Sequence, residues 1–153
     1  MIKDKMKYEK IISDKLNELL IKNYDAEKGY IKAMKEVDNV NLKNFFSNRA
    51  EERSRFARQL RTEILTYGEL PEDSGSFKGI VHRNWMSLKS TFSTNNEEAI
   101  LEEAIRGEEK SLEEYRNILK DRTMPPSIES ILIKQKNAIQ IPVKRFFLMF
   151  MFF

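Results

Sequence analysis

From Leu16 to Val37 the apolar and aromatic residues return with the period of a helix: Leu16, Leu20, Tyr24, Tyr30 or Ile31, and Met34. Glu27 shares that stripe, reached through the steps Leu20, Asn23, Glu27 and Tyr30. A carboxylate turned toward a core costs several kcal/mol unless a cation or hydrogen-bond donors meet it. The stretch therefore asks for a helical fold that also supplies a partner for Glu27.

The same periodicity extends along the chain. A first helix is expected to begin between Lys5 and Glu9 and to run to about Val37. Asp38-Asn39-Val40-Asn41 then forms a short connection of residues that favour turns and N-caps. A second helix follows to about Tyr67, with Leu42, Phe45, Phe46, Phe56, Leu60 and Ile64 as its core face. The breakers Gly68, Pro71, Asp73, Ser74, Gly75 and Gly79 gather in the next segment. Ile80 to Phe92 reads as a short extra helix, with Ile80, Trp85, Leu88 and Phe92 turned inward. Trp85 is its natural core anchor, because the indole supplies a large buried area.

Thr94 and Glu97 have the spacing of a capping box and are expected to start a third helix running to about Lys120. Its seam of Leu101, Ile105, Glu108, Leu112, Tyr115 and Leu119 has coiled-coil spacing, with a carboxylate in the middle. Asp121 to Pro126 breaks the chain, and a fourth helix begins at Ser127 with Ile128, Ile131, Leu132 and Ile139. The fold class is all-α. Two hairpins joined by a long connection point to a ferritin-like four-helix bundle with one crossover, occupying residues 1–141 as a single domain.

In an antiparallel hairpin, residues equally far from the turn lie side by side. Glu27 and Glu52 are equidistant from the first turn, and Glu108 and Gln135 from the second. Both pairs stand roughly 18–20 Å from their turns at 1.5 Å per residue. Four polar side chains at one height make a candidate site for a hard or borderline cation such as iron or manganese, with Glu27, Glu52 and Glu108 as oxygen ligands and Gln135 as a weaker fourth. A structural reading of the same level pairs the carboxylates with Arg49, Arg53 or Arg55 and with Tyr30 or Tyr115. One residue of slip in the second helix would turn Glu51 or Arg53 inward in place of Glu52.

Histidine usage weighs against redox chemistry there. Di-iron bundles use Glu-x-x-His on two helices, whereas Arg55 follows Glu52 at that spacing and Ala138 follows Gln135. The only histidine, His82, falls in the crossover, away from the ligand level. No Gly-rich phosphate loop and no Ser/His/Asp grouping can be assembled. With no cysteine, thiolate catalysis and Cys-ligated metals are excluded.

The net charge of +3 is small, and Lys and Arg alternate with Glu along the helices, so no nucleic-acid partner is implied. Met1 to Lys10 lacks the apolar centre of a signal peptide, which sets a cytoplasmic expectation.

The segments Asp25-Ala26-Glu27-Lys28-Gly29-Tyr30, Arg49-Ala50-Glu51-Glu52-Arg53, His82-Arg83-Asn84-Trp85 with Leu88-Lys89, and Leu101-Glu102-Glu103 through Arg106-Gly107-Glu108-Glu109 with Tyr115 resemble one family. It is the bacterial ferritin-like four-helix-bundle proteins that carry a domain of unknown function, and the resemblance covers roughly Leu16 to Leu119. It implies the bundle and its crossover without assigning a reaction, and it carries over Glu27, Glu52 and Glu108 as counterparts of metal ligands. The ferritin histidines and the fourth carboxylate have no match.

Ile141-Pro142 is expected to interrupt the fourth helix, setting off residues 142–153 as an apolar tail. The run from Phe146 to Phe153 is too short to cross a bilayer, which takes about 20 residues. Its lack of either amphipathicity or alternation favours an accidental origin, such as a frameshift, over docking in a groove, oligomerisation or contact with a membrane. The expected function is that of a non-catalytic or weakly metal-binding bundle, forming a homo-oligomer such as a dimer. A storage or stress setting is suggested by fold analogy alone. The rivals are a di-metal oxidase with an all-carboxylate site and a partner-binding helical module.

Overall fold

The computed structural model describes residues 1–73, 90–121 and 123–151. Within them the chain is helical apart from turns and short connections, with no strand. Four long helices are α1 (Ile2–Glu36), α2 (Val40–Thr66), α3 (Glu97–Leu119) and α4 (Pro126–Met151). The chain divides into two compact units, Met1–Glu97 and Glu98–Phe153. The expected crossover residues Ile80, His82, Trp85 and Leu88 lie outside the described residues.

The first unit is built on the α1–α2 hairpin. Ile12, Leu16, Leu19, Leu20 and Ala33 of α1 are buried, as are Leu42, Phe46, Phe56, Leu60 and Ile64 of α2. Each fully buried aliphatic or aromatic side chain of this kind contributes about 1.5–3 kcal/mol of transfer free energy. Asn39 is the N-cap of α2, its side-chain oxygen accepting from Leu42 N at 3.0 Å. Lys43 Nζ donates to the Met34 carbonyl at 3.1 Å, placing a cation where α1 exposes its last acceptors.

Near the turn Phe46 is an aromatic hub. Tyr30 stacks on it at 6.0 Å between centroids, and Phe45 and Phe92 meet it edge-on at 5.4 and 6.2 Å. At the other end α2 closes in a Schellman motif. Gly68 takes φ +75°, its N–H donates to Leu65 O, and Glu69 N donates to Ile64 O.

The second unit contains α3 and α4. Ile100, Ala104, Ile105, Leu112 and Tyr115 of α3 are buried, as are Ile128, Leu132, Ile139 and Val143 of α4.

Three sequence expectations need correction. First, α1 starts at Ile2 rather than between Lys5 and Glu9. Nothing in its first turns breaks a helix, and their charges are tolerated because they are exposed.

Second, the capping box at Thr94 does not form. The Thr94 hydroxyl donates to Thr91 O, Asn95 sits at φ 52°, and α3 begins only at Glu97. The Glu97 carboxylate instead accepts from Asn39 Nδ2 at 2.7 Å.

Third, α4 passes through Pro142 without ending. Proline removes one intrahelical hydrogen bond, to the carbonyl of Ala138, yet a long helix can bend around that loss when neighbouring turns are packed. Pro142 and Val143 are both buried. None of the described helices is long and apolar enough to cross a membrane.

Candidate functional site

Among the described residues of the first unit, the buried polar ones are Ser13, Asn23, Glu52 and Arg53. Arg53 is 1% exposed, and its Nη1 donates to Asn23 Oδ1 at 3.0 Å. Asn23 in turn donates through Nδ2 to the Leu19 carbonyl at 2.8 Å, one turn back on α1. The asparagine thus spends its acceptor on the arginine and a donor on the backbone, which suits a polar group that cannot reach water.

Glu52 lies beside this pair on the next position of α2 and forms a close ion pair with Arg49 one turn away. Both members are largely shielded, their side chains being 10% and 18% exposed. A charge-assisted contact of this kind is stronger than a surface ion pair, but it also uses up the carboxylate.

The hairpin register explains why Glu27 takes no part. Asn23 meets Arg53 and Tyr30 meets Phe46, seven residues along α1 for seven back along α2. The same register sets Glu27 level with Arg49, one turn from Glu52. Glu27 is half-buried and forms no hydrogen bond or ion pair with another described residue. On the α1 stripe Asn23 is fully buried and Glu27 half-buried. Of the alternatives in α2, Glu52 and Arg53 both turn inward and Glu51 is exposed.

In the second unit Glu108 is 0% exposed and Gln135 1% exposed. Tyr115 lies one heptad after Glu108 on the same face of α3, and its hydroxyl donates to Gln135 Oε1 at 2.6 Å. The amide is therefore engaged by a phenol from the facing helix.

Among the described residues no three His, Cys, Asp or Glu side chains come together closely enough to hold a metal ion. The donor set fits a cation poorly on its own chemistry as well. Where a second carboxylate or an imidazole would be needed beside Glu52, a guanidinium stands, and a fixed positive charge repels a divalent ion.

The pairs Arg53–Asn23 and Tyr115–Gln135 were within reach of sequence reasoning in only one respect. Asn23 stood on the apolar stripe, Tyr115 on the α3 seam and Arg53 one residue of register away from the inward place of Glu52, but spacing alone does not say which polar side chains meet across a hairpin.

Neither a curated protein nor a solved structure matches the chain. Residues 11–121 match a family described as a domain of unknown function, DUF2383, and that span takes in most of α1 and all of α2 and α3. With more than half of its length covered, the chain belongs to the DUF2383 family.

Proposed function

We propose that this chain is a non-catalytic, ferritin-like helical-bundle protein whose buried polar residues are structural. In this reading the polar residues fix how the helices of each hairpin are set against each other, and activity resides in association, with a second copy as the partner. The Arg49–Glu52 pair carries the proposal. It neutralises the carboxylate that a ferritin-like centre would need as a ligand, and the Asn23–Arg53 bond places a second guanidinium in the same core. Buried polar pairs of this kind select one register over its neighbours, because any slip leaves a buried charge without its partner.

A second reading keeps weak iron or manganese binding, taken within each unit: by Glu27 and Glu52 in the first, and by Glu108 with Gln135 in the second. It is favoured by the complete burial of Glu108, since a cation is one way to stabilise a carboxylate away from water.

The two readings separate in one experiment. The protein is purified after growth with added iron, manganese and zinc, beside a Glu27→Ala/Glu108→Ala variant, and the bound metal is measured. The structural reading expects far less than one ion per chain in both. Stoichiometric metal that disappears in the variant would overturn it, and oxygen consumption with Fe(II) would then test for an oxidase.

A further inference from the structure

Asn17 lies halfway between the exposed and buried faces of α1 and makes two hydrogen bonds to a distant stretch of backbone. Its Nδ2 donates to the Leu70 carbonyl at 3.2 Å, and its Oδ1 accepts from Glu72 N at 2.9 Å. In an extended chain the carbonyl of one residue and the N–H two residues later point to the same side, so a side-chain amide can pair with both as a strand would. Pro71 stands between them. Its ring fixes φ and its nitrogen has no hydrogen to satisfy, so the middle residue stays extended and leaves no donor unpaired.

We propose that residues 70–72 form a strap fastened to α1 by Asn17, and that this fastening fixes the path by which the chain leaves the first hairpin. The Schellman motif at Gly68 turns the chain off the end of α2, and the strap then receives it two residues later. Leu70 is 84% exposed, so its side chain buries little against the helix. The two amide bonds fasten this segment to the helix at Asn17. Because they are partly exposed and involve one side chain, the strap is the element that opens before the hairpin core does.

The test is hydrogen exchange on the full chain, read at the Glu72 amide and, as an internal reference, at the amides of Leu19 and Leu20. Asn17→Leu keeps a good helix former and removes both bonds, whereas Asn17→Asp keeps an acceptor for Glu72 N and removes the donor to Leu70. In the parent protein the Glu72 amide should exchange more slowly than in an unstructured peptide. Asn17→Leu should speed it by about tenfold, the loss of roughly one hydrogen bond, with the reference amides unchanged. Asn17→Asp should leave it slower than Asn17→Leu does. Exchange at the free-peptide rate in the parent, or an equal rate in parent and Asn17→Leu, would overturn the proposal.

Discussion

Arg53 and Asn23, thirty residues apart in sequence, meet across the α1–α2 hairpin with both side chains buried, Nη1 to Oδ1 at 3.0 Å. A guanidinium in that position must be met wherever the hairpin forms, so the pair marks one register as the native one. Removing Asn23 as Asn23→Ala should destabilise the protein by about 2–3 kcal/mol, since a hydrogen bond to a charged group is lost and its partner stays buried. Arg53→Met alone should also cost stability. Asn23→Ala with Arg53→Met should cost less than the two single changes together. Urea unfolding of the parent, singles and double reads this as a coupling energy, and a coupling near zero would show that the pair fixes nothing.

Ser13 presents the opposite case. It is 1% exposed in the interior of α1, and among the described residues its hydroxyl finds no hydrogen-bond partner. Ser13→Ala removes a buried polar atom and improves helix propensity. It should raise stability by about 0.5–1 kcal/mol, read as a higher urea midpoint at unchanged slope.

In the second unit Tyr115→Phe should cost about 1–2 kcal/mol, because the Gln135 carbonyl oxygen keeps its burial and loses its donor. Adding Gln135→Leu should recover part of that loss. Thermal unfolding of the single and double variants decides the matter.

Tyr67, at the end of α2, carries a pH signature. Burial pushes its phenol above the usual tyrosine range, and Tyr8, Glu63 and Glu9 add to the push in that order. The folded state therefore holds this proton more tightly than the unfolded chain does. Its contribution to stability is complete below the ordinary tyrosine pKa of about 10 and is lost as pH rises through the higher folded value. An ultraviolet titration should show a late-ionising tyrosine component that is lost in Tyr67→Phe. A titration curve unchanged by that substitution would contradict the assignment.

The helices were legible in the sequence because period and punctuation agree. The apolar residues Leu16, Leu20, Leu60 and Ile64 recur at helical spacing, and Asn39 stands where an N-cap belongs. What escaped was decided by contacts between segments. Glu27 and Asn23 lie on the same stripe, and only the meeting with Arg53 shows that Asn23 is the fully buried one. Glu97 has capping-box spacing from Thr94, yet Asn39 offered its carboxylate a better partner. Pro142 ordinarily ends a helix, but burial beside Val143 carries α4 past it. In each case the local signal was real and a tertiary contact outweighed it.

The most direct test of the structural role assigned to the buried polar residues is thermal unfolding of the parent protein with and without millimolar Mn²⁺, beside Glu108→Ala. A ligand bound only by the folded state raises stability by about 2.7 kcal/mol when present at a hundredfold over its dissociation constant, which shifts a melting curve by several degrees. The expected result is a parent melting temperature that added Mn²⁺ leaves unchanged. A rise of several degrees that is absent in Glu108→Ala would contradict it and make the buried carboxylates a metal site.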